Sequence, residues 1–291
     1  VHTMEMPTAE AVAQPTESDH GGMDMSGAEP LPDTVLDPLS IPKYVTPLVI
    51  PPVIKNAGAP DPNHYAIAVR QFKQQILPGG IWNLLNGRTD DFQPTPVWSY
   101  GPVSDPTPAI APDPSSQFNF PAYTIEANSY VPTTVDWIND LVANPDVCKT
   151  LPTGNTDPAC NYIPHLLPVD RSLHWANPEQ LTCIDRNKTK DCAPDPAVHG
   201  TLLQQPYDGP VPMVVHVHGS HSGPESDGYA EAWWLPNANN IPATYATAGT
   251  MVNQFGVTTN DPAKPGVGTF RYRNDQRAMT IWYHDHSLGM T

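Results

Sequence analysis

Apolar and polar residues alternate in short runs along this chain, and no stretch carries a convincing helical period. Tyr65-Ala-Ile-Ala-Val-Arg-Gln-Phe72 alternates and predicts a strand, with a continuation to Leu77 that Pro78-Gly79-Gly80 breaks. Val97–Gly101 predicts a short strand and Tyr123–Ala127 another. After Asn128-Ser129, residues 131–138 follow with Val131, Thr133, Val135 and Trp137 on one face, and Asn139-Asp140 ends the run. Further strands are predicted at 213–218, 269–273 and 278–283. In 213–218, Met213, Val215 and Val217 would face an apolar core, with Val214, His216 and His218 on the opposite face. Residues 102–117 are a proline-rich loop, and 143–208 lack periodicity and read as an excursion. Several short strands between Gly/Pro turns, with no internal repeat, give an all-β sandwich or Greek-key barrel.

Composition sharpens this picture. At 291 residues the chain suffices for one large domain or two ordinary ones, and its 37 prolines disfavour long helices. Residues 1–40 are polar and aperiodic and predict a disordered arm, leaving 41–291 as the folded part. The arm holds His2, His20, Met4-x-Met6 and Met23-x-Met25, thioether and imidazole donors suited to Cu(I), although an ordinary flexible terminus explains it equally well. With 14 Lys+Arg against 30 Asp+Glu, the net charge of −16 argues against nucleic acid and anionic membranes as main partners. No apolar run is long enough to span a bilayer. The opening Val-His-Thr-Met, without a basic n-region, is that expected of a processed form. Cys148, Cys160, Cys183 and Cys192 lie in the excursion, where local pairing 148–160 and 183–192 is the simplest of three connectivities. Asn187-Lys188-Thr189 is a glycosylation sequon between two of them, and the combination predicts an extracellular protein.

The chemistry lies in two His-x-His pairs, His216/His218 and His284/His286, each ending an apolar run. Side chains at i and i+2 of a strand point the same way, so two adjacent pairs would set four imidazoles around one small volume. Such a set suits copper, zinc or iron. A chance pair on a surface strand is an ordinary event; two are harder to dismiss. Asp227, in Ser226-Asp227-Gly228, is a candidate functional carboxylate or simply a turn residue. Asp285 points away from its histidine neighbours and reads as a structural acceptor. His64, His165, His174, His199 and His221 read as solvated or structural, and Trp233-Trp234 as a cap on the barrel.

With those strands in place, several blocks resemble the multicopper oxidases, and closely their bacterial spore-coat laccase and bilirubin-oxidase branch. The blocks are Phe120-Pro-Ala-Tyr-Thr-Ile-Glu126, Val135-Asp-Trp-Ile-Asn-Asp-Leu141, His216-Val-His-Gly-Ser220, Ser226-Asp-Gly-Tyr-Ala-Glu-Ala-Trp233, Tyr272-Arg-Asn-Asp-Gln-Arg277 and Trp282-Tyr-His-Asp-His286. They cover residues 65–141 and 209–291 and leave out the arm and the excursion. The resemblance implies a cupredoxin-like Greek-key β-barrel with a long disulfide-containing insertion, the first such domain of a larger enzyme. It implies His216 as a type 2 copper ligand, and His218, His284 and His286 as ligands of the paired type 3 coppers. These would be half of an eight-histidine trinuclear cluster that reduces O₂ to water, with Asp227 supplying protons. The electron donor would be a small aromatic reductant (a phenol, aromatic amine or bilirubin-like pigment). Rival readings are a metallo-oxidase of Cu(I) or Mn(II), a non-enzymatic copper-binding module, and a zinc hydrolase, which lacks a placed Glu base. The family also needs a type 1 copper held by a cysteine among histidines, and no cysteine here has a histidine within four residues. The type 1 copper and four further histidines are expected on a second polypeptide or C-terminal half, with this chain the N-terminal part of a nicked or two-chain enzyme; the alternative is an isolated fragment or truncated product.

Overall fold

The computed structural model describes residues 36–54, 60–80, 83, 87–103, 118–145, 148, 159–254 and 265–290. The Met/His positions of the arm and most of the proline-rich loop lie outside them. The chain divides into two units, Val1–Pro42 and Lys43–Thr291. In the first, Asp37 caps a single 3-10 turn, Pro38–Ser40, accepting from the Leu39 amide at 2.9 Å.

The second unit is built on a four-stranded sheet. Its long strand β1 (His64–Gln74) pairs antiparallel with β2 (Thr95–Pro102) and parallel with β3 (Thr133–Asn139). The predicted alternation of β3 holds: Thr133, Val135, Trp137 and Asn139 are buried, and the residues between them are partly exposed. A second, two-stranded sheet pairs β4 (Val215–His218) with β6 (Trp282–Asp285), and β5 (Val267–Tyr272) closes the edge of the first sheet antiparallel to β3. The two sheets share one core. The Trp137 ring packs 5.3 Å from Tyr283 and 5.7 Å from Tyr100, and Trp137 Nε1 donates to the Tyr272 hydroxyl at 3.0 Å. The described residues are thus mostly β, in a four-stranded and a two-stranded sheet, and both disulfides form as expected, Cys148–Cys160 and Cys183–Cys192.

Several local expectations change. Among the described residues, Thr124 is the one position of Tyr123–Ala127 that pairs, in a parallel bridge to Val53. Its partner segment carries Pro51-Pro52, which have no amide to donate, so the ladder cannot extend on that side of Val53. The strand expected at 278–283 begins at Trp282 and runs through His284 to Asp285. Beyond His218 the chain turns away at Gly219 (φ +85°), so residues 278–281 have nothing to pair with. A short helix, α1 (Pro196–Leu203), appears in the excursion. Asp195 caps it by accepting from the Ala197 amide, and Pro196 stands in the first turn, where a missing N–H costs nothing.

The excursion is part of the core. Trp175, Ala176 and Asn177 are fully buried, and the Arg171 guanidinium is clamped by both Glu179 oxygens (3.0 and 2.9 Å) and the Gln205 and Pro206 carbonyls. Trp233 and Trp234, read as a barrel cap, are entirely enclosed; Trp234 packs on Phe270. Asp191 of the excursion accepts from the Trp233 indole N–H at 2.6 Å and the Thr250 amide at 2.7 Å. Asp191→Ala strips the buried indole of its acceptor and is expected to cost on the order of 2 kcal/mol in urea unfolding. Asp191→Asn keeps an acceptor oxygen and should cost less.

Candidate metal centre

The β4–β6 ribbon decides where the histidines go. Its register sets Val215 opposite Asp285, His216 opposite His284, Val217 opposite Tyr283 and His218 opposite Trp282. Directly opposed residues of an antiparallel pair share a face. His216, His218, His284 and Trp282 therefore stand on one side, with Val215, Val217, Tyr283 and Asp285 on the other. The ladder runs one bond further, from the His286 amide to the Val214 carbonyl at 2.8 Å, which brings His286 to the histidine face. Ring centroids lie 5.6 Å apart for His216–His218, His216–His284 and His284–His286, 5.7 Å for His218–His284 and 5.1 Å for His216–His286. The structure thus brings together all four imidazoles expected from the sequence. A cavity of about 420 Å³, lined by Tyr123, Val135, Trp137, Val217 and Tyr283 among others, includes none of the four.

Backbone carbonyls orient three of the rings. His216 Nδ1 bonds to the Asp227 carbonyl, His286 Nδ1 to the Gly228 carbonyl at 3.1 Å, and His284 Nδ1 to the Asp285 carbonyl at 2.7 Å. A carbonyl oxygen can only accept, so each Nδ1 carries a proton, and a ring so held presents its Nε2 lone pair whenever it is neutral. This is the arrangement in which metal-bound histidines are held by an outer ring of acceptors. Burial, with His216 nearby, lowers the His286 pKa and favours its neutral form. Among the described residues no group of three or more His, Cys, Asp or Glu side chains closes around one point. The four rings form an open array, with centroids between 5.1 and 5.7 Å apart.

Asp227 and Gly228 hold His216 and His286 from one turn. This turn follows the 3-10 segment Pro224–Ser226, whose buried Ser226 hydroxyl accepts the Arg271 amide of β5 at 2.9 Å. Gly228 adopts φ +77° and lies directly on β4, where a Cβ would overlap the Val215 carbonyl and the His216 backbone. The Asp227 carboxylate is partly exposed, with Oδ1 3.7 Å from His216 Nδ1. Its backbone role was not legible in the sequence: Ser-Asp-Gly announces a turn but not where its carbonyls point. Asp285 is the structural acceptor expected, taking the Val214 amide at 3.1 Å and the Ser287 amide and hydroxyl at 3.2 Å each. Burial raises its pKa to about 6 against the pull of those bonds. The segment after His286 leans on the excursion, where the Ala176 amide donates to the Leu288 carbonyl at 3.0 Å. The other described histidines lie elsewhere: His64 beside Asp136, His165 against Trp98, His174 on the Asp191 carbonyl, His199 in α1 and His221 beside Asp275.

No protein-family model matches the chain. Over 202 residues, 69 % of this chain and 23 % of the relative, it is 30 % identical to the Oryza sativa subsp. japonica protein described as multicopper oxidase LPR1 homolog 3. Over 258 residues, 87 % of this chain and 31 % of the relative, it is 24 % identical to a laccase of Bacillus stratosphericus. A solved multi-copper oxidase from Pediococcus acidilactici aligns with 85 % of this chain and 26 % of its own, at 14 % identity and a TM-score of 0.37. The chain spans between 23 % and 31 % of the length of these two curated relatives.

Two glycines at positive φ flank the site and should respond differently. Gly219 has only Ile281 Cγ2 near a substituted Cβ, at 3.6 Å, so Gly219→Ala should cost about 1 kcal/mol of backbone strain. Gly228→Ala adds a clash with β4 to that strain and should cost about 3 kcal/mol or more. Chemical denaturation of the two variants measures this order directly.

Proposed function

We propose that this chain, which belongs to the multicopper oxidase family, contributes half of a trinuclear copper site. His216 would serve as the type 2 copper ligand, and His218, His284 and His286 as type 3 ligands. The observation that carries this reading is the single histidine face of the β4–β6 ribbon, with three Nδ1 protons committed to carbonyls. Neutral imidazole suits copper. Bound there, copper would supply one-electron chemistry and the reduction of O₂ to water. This chain's own share is to hold the rings, keep Nε2 of His216, His284 and His286 available as the unprotonated nitrogen and, at Asp227 Oδ1, hold and pass a proton.

All four cysteines are in disulfides, so no thiolate of this chain is free to hold a type 1 copper. We assign that copper and four further histidines to a second polypeptide or a C-terminal half. With it, the enzyme would take electrons from phenols, aromatic amines or bilirubin-like pigments. Two disulfides and the exposed Asn187 sequon fit a secreted glycoprotein. Among the described residues no helix is long and apolar enough to cross a membrane. The methionine pairs of residues 4–25 favour a second reading, a metallo-oxidase of Cu(I) or Mn(II). Turnover of Cu(I) relative to a phenol distinguishes the two.

Copper titration of the purified chain tests the site. His216→Ala and His286→Ala are each expected to weaken uptake by about tenfold or more, with folding retained. Equal uptake in both variants and the parent would end this reading. In the complete protein, Asp227→Asn keeps the carbonyl on His216 and removes only the carboxylate. Copper content should then hold while O₂ consumption falls by about a hundredfold. Copper uptake without O₂ consumption, even with every native partner present, would instead identify a binding module.

A further inference from the structure

The four imidazoles are not held alike. His216, His284 and His286 each give Nδ1–H to a carbonyl, whereas among the described residues no carbonyl holds the ring of His218. His218 is also the most open of the four, at the last position of β4 before the chain turns at Gly219. Its ring instead meets the indole of Trp282 edge to face, with centroids 5.4 Å apart and planes at 65°. The register places Trp282 directly across from His218 on the histidine face. The same indole reaches the His284 ring at 6.2 Å and 79°.

Trp282 itself is 66 % exposed, whereas its neighbour Tyr283 packs into the core and donates its hydroxyl to the Tyr123 carbonyl. An indole so exposed adds little to the core, yet it touches the one imidazole without a carbonyl partner. Edge-to-face packing restrains a ring's plane without fixing which nitrogen carries the proton. We infer that Trp282 is a positioning residue: its indole sets the orientation of His218, as the carbonyls of Asp227, Gly228 and Asp285 set the other three. This deepens the copper reading of His218 and rests on it. The indole thereby completes the outer ring of contacts that a ligating imidazole requires.

The test compares the chain with its Trp282→Ala and Trp282→Phe variants in three measurements: long-range ¹H–¹⁵N imidazole spectra without metal, thermal unfolding, and calorimetric titration with Cu(II). In Trp282→Ala the His218 resonances should shift and broaden while those of His216 and His286 stay in place. The unfolding midpoint should hold and Cu(II) affinity fall by about tenfold. Trp282→Phe, which keeps an aromatic edge, should restore the His218 signals and most of the affinity. The inference is overturned if the His218 resonances ignore the loss of the indole, if they move without a change in affinity, or if phenylalanine restores nothing. A uniform shift of all four histidines with a lowered midpoint overturns it too, because the indole would then support the ribbon as a whole. Should the parent chain take up no Cu(II), the copper reading fails, and the metal-free spectra still decide whether Trp282 orients His218.

Discussion

The site depends on backbone packed against backbone. Gly228 lies on the Val215–His216 peptide so closely that no side chain fits between them. That approach turns two consecutive carbonyls, of Asp227 and Gly228, toward imidazoles on two different strands. The β4–β6 pairing supplies the other half of the constraint. With His216 fixed opposite His284, a slip of one residue would send one pair of histidines to the wrong face. Ribbon register and turn reinforce each other, since each carbonyl bond to a ring also resists that slip.

An isolated two-stranded ribbon is marginal in water, so its support has to come from elsewhere. On its inner face Tyr283 meets Trp137 and Tyr100 of the four-stranded sheet. The Asp285 carboxylate ties the far end of β6 to the Val214 amide. Beyond His286, Leu288 bonds to Ala176 of the excursion and to the Ala230 carbonyl next to the Asp227–Gly228 turn. The disulfide-bearing excursion is therefore one wall of the histidine site's support. Its buried anchors, Asp191 on Trp233 and Arg171 on Glu179, hold that wall in place.

What could be read from the sequence was whatever depends on side-chain period. The alternation of β3, the two His-x-His pairs on a common face and the nearest-neighbour disulfides all follow from which way side chains point in a strand or how short a loop is. What could not be read depends on where peptide groups end up in space. The limits of β6 are set by its partner, because β4 offers four residues and then turns at Gly219. Trp233 and Trp234 read as a cap on the barrel until Asp191, from a segment without periodicity, arrives to accept the Trp233 indole N–H. Helix α1 had its signal in Asp195-Pro196, but too short a run for a period to register. Asp227 was noticed for its carboxylate, whereas the structure adds a carbonyl at the same residue, bonded to the His216 ring.

The histidine face can hold a metal as proposed only if its rings carry their protons on the carbonyl side. The most direct measurement is a long-range ¹H–¹⁵N correlation spectrum of the metal-free chain near neutral pH, with each histidine assigned by substitution. Wherever the rings are neutral, His216, His284 and His286 should all appear as the Nδ1-protonated tautomer, leaving Nε2 free. If any of them is instead protonated at Nε2, its lone pair would point at a carbonyl, and the carbonyl-held copper face described here would be wrong.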